Sequence, residues 1–154
     1  MSSRIWLVAV IAWIGVIFFS STSLASRWCE ESFNAVSALL FGGLHSQTFS
    51  YNLLHLLADK GFHVALFLVL AALLWRAIPG ARWKSATILL VGLLIGSCSE
   101  FLQRFFPGRD PAVRDVLINL GGTAVGIIGC MMLTRRTVHT SLGRTDPVTV
   151  VADD

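Results

Sequence analysis

The sequence predicts an all-α membrane protein, a four-transmembrane-helix bundle with an extra interfacial amphipathic helix between spans one and two. Two observations carry this prediction. Hydrophobic residues make up 55% of the 154 residues and charged residues only 14%, whereas about a quarter of an ordinary soluble domain is charged. The apolar residues are also gathered into four long runs, which is the pattern of a chain that crosses a bilayer.

The four apolar runs cover residues 5–19, 61–78, 86–106 and 113–133. About 20 helical residues cross a hydrocarbon layer of ~30 Å, and the third and fourth runs reach this length. The first run reaches this length only if residues 20–23 are included, and the second only if its helix extends back through Asn52. Because Arg4 precedes the first run and Ser23-Leu24-Ala25 follows it, a cleaved secretory signal is the alternative to a retained first helix.

The lysines and arginines predict that both termini face the cytoplasm. With the N-terminus inside, the cytoplasmic side carries seven of them and the outer side five, and cytoplasmic segments ordinarily carry the excess. The seven are Arg4, Arg76, Arg82, Lys84, Arg135, Arg136 and Arg144. We therefore expect a multi-pass protein of the bacterial inner membrane, with a membrane domain at 1–134 and a disordered cytoplasmic tail at 135–154.

The segment between the first and second spans predicts the additional helix. Its apolar residues recur at helical spacing, at Phe33, Val36, Leu39, Leu40 and Leu44. Glu30, Glu31 and Asn34 occupy other faces. Such a helix lies along the membrane interface, and a lid over the bundle is the alternative.

Two glycine motifs predict close helix packing. Gly92-x-x-x-Gly96 lies in the third span and Gly122-x-x-x-Gly126 in the fourth, with Gly121 and Gly129 nearby. Small residues at this spacing let helix backbones approach one another. We expect the motifs to pack helices within the chain, and a homo-oligomer through these glycine-rich faces is the alternative.

The predicted topology gathers the polar residues of the spans at the outer end of the bundle. This set comprises Ser20, Ser21, Thr22, Ser23, Asp59, Lys60, His63, Glu100, Gln103, Arg104, Arg109, Asp110, Arg114, Asp115 and Asn119. An ionisable side chain at a helix centre in the bilayer costs about 2.5–3.5 kcal/mol on insertion scales, so these residues need partners. Two interpretations remain: a network of ion pairs that holds the spans together, and a site for an anionic headgroup bound by arginine. Asp110 before Pro111 predicts a helix N-cap followed by a proline at the first helical position.

The remaining site chemistries are less well supported. His55, Asp59 and His63 form a helical stripe that could offer metal ligands, but the signature of a helical zinc hydrolase is absent, and we predict neither a metal nor a cofactor. The three cysteines match no zinc or redox motif. The 12 basic residues form no continuous basic face, so we expect no nucleic-acid binding.

The stretch SEFLQRFFPGRDPAVRDVLINLGGTAVG, residues 99–126, resembles the signature of the VanZ-like membrane proteins. The pattern is an acidic residue, a glutamine, Pro-Gly-Arg, then Asp-Val-Leu-x-Asn and glycines. It falls on Glu100, Gln103, Pro107, Gly108, Arg109, Asp115, Asn119 and Gly122. The Asp59-Lys60-x-x-His63 segment also fits, as do Ser20 and Ser21, which favours a retained first helix. Ser99 stands where the family often has a second acidic residue.

The resemblance implies a compact four-helix membrane bundle. The founding member of the family is associated with resistance to the glycopeptide antibiotic teicoplanin, but that association does not establish resistance for this chain. No catalytic mechanism carries over, because none is established for the motif.

The leading hypothesis is a non-enzymatic envelope protein that binds an anionic lipid or a lipid-linked envelope precursor by its headgroup. The predicted ligand-binding residues are Lys60, His63, Glu100, Gln103, Arg109, Arg114, Asp115 and Asn119. Among them Arg109 and Arg114 contact the anion, Lys60 adds charge, Glu100 and Asp115 hold the cations, and the others orient them. The alternatives are an enzyme acting on such a lipid, with His63 or Glu100 as base and Ser20 or Ser21 as nucleophile, a purely structural subunit, and an oligomeric transporter.

Overall fold

A computed structural model describes residues 3–41, 49–80, 82–109 and 111–142, and every regular element in these ranges is an α-helix. The five helices are α1 (Ser3–Ser20), α2 (Ser23–Phe41), α3 (Phe49–Ala77), α4 (Lys84–Gln103) and α5 (Val113–Leu142). All but α2 are long and apolar enough to cross a membrane. The predicted all-α fold of four spans, with a further helix between the first and the second, is therefore confirmed.

The serine-rich end of the first span forms the break between α1 and α2. The hydroxyls of Ser20 and Ser21 both donate to the carbonyl of Ile17, at 2.7 and 3.3 Å. Thr22, immediately before α2, accepts a hydrogen bond from the amide of Ala25 at 3.3 Å, which is the contact of a helix N-cap. The same run of hydroxyl residues therefore ends one helix and begins the next.

Helix α3 contains the longest apolar span among the described residues, Ser50–Ala77. Its 29 residues span about 43 Å at 1.5 Å per residue, which exceeds the hydrocarbon thickness. The helix does extend back through Asn52, as the length argument required. Its first turns lie beside α2, where Tyr51 donates to Asn34 at 2.5 Å and the ring of Phe33 contacts those of Tyr51 and His55 at 5.5 and 5.1 Å.

The core lies around α3, which packs against α1, α4 and α5. Its buried apolar side chains are Leu66, Phe67, Leu70, Ala71 and Leu74 from α3, with Val10 and Ile17 from α1, Ile88 from α4 and Ile127 from α5. The indole N–H of Trp13 donates to the carbonyl of Leu66 at 2.8 Å and ties α1 to the same helix. Large apolar side chains such as Leu7, Leu94 and Met132 remain exposed on the outside, where a bilayer would solvate them.

The glycine motifs pack helices within the chain. A Cβ atom added at Gly122 would lie 2.6 Å from the carbonyl oxygen of Val64, and one at Gly126 would lie 2.8 Å from that of Leu68. These contacts bring α5 directly against the backbone of α3. A Cβ at Gly92 would similarly meet the hydroxyl of Thr123 at 2.6 Å. The homo-oligomer through glycine-rich faces stays a prediction, with open space beside Gly121 and Gly129.

The last helix continues to Leu142, eight residues beyond the predicted end of the membrane domain. The apolar span within it ends at Arg135, so its final turns leave the apolar segment as helix. The start of the predicted tail is therefore helical. Residues 143–154 lie outside the described part of the chain, and their predicted disorder stays a prediction.

Replacing Gly122 with alanine should lower the free energy of unfolding by about 1–3 kcal/mol, because overpacking of a tight contact costs this much. The added methyl group would meet the backbone of Val64, which cannot rotate away as a side chain can. The check is the thermal unfolding of purified protein in a mild detergent.

The matched control is Gly121→Ala, where nothing lies within 4 Å of the new methyl group. Alanine is a better helix former than glycine by about 1 kcal/mol, so this variant should be as stable as the parent or slightly more stable. Equal stability of the two variants would contradict the proposed close approach of α3 and α5.

Candidate functional site

The polar side chains of the bundle collect at one end, which we call the polar end. Here α1 and α4 end, α5 begins, and residues 59–63 of α3 pass beside them. The buried polar side chains of these four helices are Ser21, His63, Ser99, Glu100, Gln103, Asp115, Asn119 and Thr123. Because buried polar groups need partners, their contacts show how this end is built.

Lys60 joins α3 to α5 by an ion pair. Its ammonium nitrogen lies 2.9 Å from a carboxylate oxygen of Asp115 and 2.8 Å from one of Asp59. The side chain of Asp115 is 9% exposed and that of Lys60 20%, so this pair is shielded from solvent. Arg114 approaches the same carboxylate only to 3.7 Å, and its side chain is 71% exposed.

Asn119 of α5 lies deeper in the bundle than Asp115, between α3 and α4. Its side-chain oxygen is 3.1 Å from Nδ1 of His63, and the residue is fully buried. On the other side it faces Gly96, where an added Cβ would lie 3.4 Å from the Cβ of Asn119. The glycine of α4 therefore makes the room that the asparagine occupies.

Glu100 ties the end of α4 to the start of α5. One carboxylate oxygen accepts a hydrogen bond from the side-chain amide of Gln103 and the other from the backbone N–H of Ala112, both at 3.2 Å. A carboxylate that accepts a free N–H at a helix N-terminus is favourable in both hydrogen bonding and charge. Glu100 thus supplies from another helix the contact that a local cap would provide.

The start of α5 differs from the prediction. The helix begins at Val113, two residues after Pro111, so the proline does not occupy the first helical position. Ala112 lies between the proline and the helix, and its N–H donates to Glu100 across the turn. The predicted cap, Asp110, lies outside the described residues.

Arg109 holds the turn between α4 and α5 against the α1–α2 junction. Its guanidinium donates to the carbonyl of Ser20 at 2.9 Å and to the hydroxyl of Ser26 at 3.3 Å. In the same contact Ser23 donates to the carbonyl of Pro107 at 2.8 Å. Gly108 adopts φ +78°, a conformation that favours glycine, and this reverses the chain so that Arg109 faces inward.

The charge of Arg109 has no carboxylate partner within 4 Å among the described residues. Its Nε is buried and makes no hydrogen bond with any described group. Both acceptors that it does use are neutral oxygens. Arg109 is therefore a partly buried cation whose hydrogen-bond partners among the described residues are neutral.

A cavity of about 390 Å³ lies beside Arg109, between the end of α1, α2 and the early part of α3. Its lining residues are Ser20, Ser26, Trp28, Cys29, Glu30, Ser32, Phe33, His55, Ala58, Asp59, Phe62, His63 and Arg109. Most of these come from α2 and the facing side of α3. The walls therefore combine aromatic rings, hydroxyls, two carboxylates and one guanidinium.

The eight predicted ligand-binding residues divide into three groups. His63 and Arg109 line the cavity. The buried or partly buried residues outside its lining are Lys60, Glu100, Gln103, Asp115 and Asn119. Arg114 is exposed on the outside.

Sequence reasoning missed the contribution of α2 to the cavity, namely Ser26, Trp28, Glu30 and Phe33. The amphipathic pattern of this segment and the alternative of a lid over the bundle were the available signals. The pattern indicated a helix, but it carried no information about which neighbour that helix would face.

The residues considered for metal binding or catalysis have other partners. His55 stacks with the rings of Phe33 and Tyr51, Asp59 pairs with Lys60, and no group of three potential metal ligands occurs in the described ranges. The hydroxyls of Ser20 and Ser21 donate to the helix backbone. An enzymatic role for these serines gains no support from this geometry.

Replacing Lys60 with methionine should lower the free energy of unfolding by about 3 kcal/mol, because it leaves the shielded carboxylate of Asp115 without its cation. Arg114→Met removes an equal charge that lies 3.7 Å from the same carboxylate but is mostly exposed, and it should cost at most about 1 kcal/mol. Thermal unfolding in detergent compares the two variants. Similar losses would show that the short contact of Lys60 does not stabilise the bundle.

Comparison with known proteins confirms the family that the sequence resembles. The family model described as VanZ/LLP1 matches residues 6–134, a range that contains every residue of the buried network and the turn that carries Arg109. No curated protein and no solved structure matches the chain. The chain is a multi-pass membrane protein with four apolar spans, and it belongs to the VanZ/LLP1 family.

Proposed function

We propose that this protein binds the anionic group, a phosphate or a carboxylate, of a membrane lipid or a lipid-linked envelope precursor in the cavity beside Arg109. The observation that carries the proposal is the partly buried guanidinium of Arg109, which has no carboxylate within 4 Å among the described residues. An arginine in this state favours an anion, because a partly desolvated charge gains strongly from a counter-ion.

The other cations of the polar end are less suited to this role. Lys60 is already shared between two carboxylates, and Arg114 is mostly exposed and lies outside the cavity lining. Arg109 uses Nη1 and Nη2 on neutral acceptors, and its Nε is enclosed by the protein without a hydrogen bond to a described group. The guanidinium presents five N–H donors in a planar fork, so it can hold the turn and an oxyanion together.

The buried residues behind the cavity support the site without contacting the ligand. Lys60 and Asp115 hold α3 against α5, and Glu100 with Gln103 holds the residue before α5. Asn119 orients His63 on the cavity wall. In this proposal Arg109 binds, His63 adds one ring nitrogen at the wall, and the remaining residues position them.

The aromatic part of the cavity favours a lipid over a free anion. Trp28, Phe33 and Phe62 line it, and such rings pack against the apolar part of a headgroup or the upper part of an acyl chain. Tryptophan is also characteristic of the membrane interface. A ligand that carries both an oxyanion and an apolar tail fits these walls best.

The proposed orientation places the polar end at the outer face of the bacterial inner membrane, with both termini inside. The basic residues Arg76 and Lys84 at the opposite end of the bundle support this orientation. Each lies beside a tryptophan: Lys84 is 4.3 Å from the ring centre of Trp75, and Arg76 is 5.5 Å from that of Trp6. Basic residues at a cytoplasmic boundary follow the general charge asymmetry of membrane proteins. The headgroup site then faces the outer leaflet.

Arg109→Gln should reduce the retention of anionic lipid on the purified protein by about tenfold or more, the scale of a lost hydrogen bond to a charged group. Native mass spectrometry after mild solubilisation, with phosphatidylglycerol as the added lipid, measures the bound fraction. Arg114→Gln makes the same change of charge outside the cavity and is the control, which should retain lipid as the parent does.

Thermal unfolding of both variants separates binding from folding. A folded Arg109→Gln protein that retains phosphatidylglycerol at the parental level would overturn the proposal. If Arg109→Gln fails to fold, Arg109→Lys tests whether the planar guanidinium is needed, because lysine keeps the charge but lacks the planar fork. Parental retention by a folded Arg109→Lys protein would then show that no fork is needed at this site.

A cysteine at position 105, in a background with Cys29, Cys98 and Cys130 replaced by serine, should react with a membrane-impermeant maleimide added outside intact spheroplasts. Phe105 is 67% exposed and lies in the turn at the polar end. A cysteine at position 83, where Trp83 is 70% exposed at the opposite end, is the control and should react only after permeabilisation. The reverse pattern would contradict the proposed orientation.

A further inference from the structure

We infer that the ligand of this cavity is zwitterionic, with an ammonium group held by Glu30 and Asp59 in addition to the oxyanion at Arg109. The inference rests on the proposed function, because it concerns a second part of the same ligand. It follows from the charges, the spacing and the aromatic walls of the cavity.

The charges of the lining do not match a purely anionic ligand. The carboxylates of Glu30 and Asp59 stand against the single guanidinium of Arg109 among the described lining residues. Lys60 pairs with Asp59 but is shared with Asp115, so an anion alone would leave Glu30 without a cation. In a zwitterionic ligand the oxyanion pairs with Arg109 and the cationic group pairs with the carboxylates.

Neither carboxylate is fully neutralised by the protein. No lysine, arginine or histidine nitrogen lies within 4 Å of Glu30 in the described part of the chain. Asp59 contacts Lys60, but Lys60 is shared with Asp115, and the side chain of Asp59 is 40% exposed. Both can therefore accept hydrogen bonds from a ligand.

The spacing along α2 fits a short link between the two charges of the ligand. Ser26, which Arg109 contacts at 3.3 Å, is four residues before Glu30 on the same helix. Residues at this spacing lie on one face with Cβ atoms about 5–6 Å apart. Arg109 and Glu30 thus meet the same face of α2 about one helical turn apart, which suits a short linker of one or two carbon atoms between the two charges of the ligand.

The form of the cationic group follows from the atoms that line the cavity. Carboxylate oxygens accept hydrogen bonds, which a primary ammonium can donate and a quaternary ammonium cannot. The rings of Trp28, Phe33 and Phe62 add favourable faces for any cation. The ligand class is therefore an oxyanion joined by a short linker to a primary ammonium.

This chemistry occurs in two kinds of membrane-linked molecule. One is a phospholipid with a phosphoethanolamine headgroup, and the other is a lipid-linked precursor that carries a free α-amino acid group, with its ammonium and its carboxylate on one carbon atom. Competition separates them: soluble phosphoethanolamine should displace bound lipid if the oxyanion is a phosphate, and free glycine should do so if it is a carboxylate. Displacement by neither compound would overturn the inference.

The test is native mass spectrometry of the full protein with equimolar phosphatidylethanolamine, phosphatidylglycerol and phosphatidylcholine of the same acyl chains. Phosphatidylethanolamine should be retained about tenfold over each of the other two, the scale of one charge-assisted hydrogen bond. Glu30→Gln should bring this preference for phosphatidylethanolamine over phosphatidylglycerol close to one. Glu31→Gln, an equal change at the exposed neighbouring position outside the cavity lining, should preserve it.

Asp59→Asn is the second variant and should also lower the preference for phosphatidylethanolamine. If the loss of the contact between Asp59 and Lys60 destabilises this variant, the result for Glu30→Gln decides the test. Equal retention of phosphatidylethanolamine and phosphatidylglycerol by the parent, with loss of both in Arg109→Gln, would overturn the ammonium site and leave the oxyanion site standing. Retention of both lipids in a folded Arg109→Gln protein would overturn the proposed function as well. Equal retention of phosphatidylcholine and phosphatidylethanolamine would overturn the requirement for a primary ammonium.

Discussion

The contact between Lys60 and Asp115 is the point at which α3 and α5 are held together at the polar end. A lysine and an aspartate in transmembrane helices are each unfavourable alone, and pairing them across two helices removes most of that penalty only if the backbones come close. Gly122, two helical turns along from Asp115, lets α5 meet the backbone of α3 at Val64. The ion pair and the glycine contact are thus parts of one constraint, because each requires the short distance that the other maintains.

The same constraint carries the rest of the buried network. Asn119 lies on α5 between Asp115 and Gly122, so the close approach that pairs Lys60 with Asp115 also brings Asn119 to His63. Gly96 on α4 leaves space for the buried amide, and Glu100, one turn further along α4, reaches the N–H before α5. Three polar contacts therefore follow from three helices packed at glycines, and together they form the wall behind the cavity.

Much of this arrangement was predictable from sequence, and the remainder was not, for physical reasons. Apolar runs of sufficient length indicate spans, and alternating spans bring Lys60, Glu100 and Asp115 to one end without any knowledge of contacts. The sequence assigned the contact with the anion to both Arg109 and Arg114, because it does not show the direction of either side chain, and the turn at Gly108 with its positive φ separates the two. The face of α2 that lines the cavity was also beyond a pattern of hydrophobicity, since periodicity defines a helix face but not the neighbour it meets.

The position of Arg109 explains how a single residue can be both structural and open to a ligand. A carboxylate partner would hold the turn more strongly, but it would also neutralise the guanidinium. Ser20 and Ser26 hold the turn with neutral oxygens and leave the charge available at the cavity wall. Because those oxygens belong to the end of α1 and the start of α2, an anion bound at Arg109 would join the α4–α5 turn to the α1–α2 junction. Ligand binding would in this way add to the hydrogen bonds that already join these two turns.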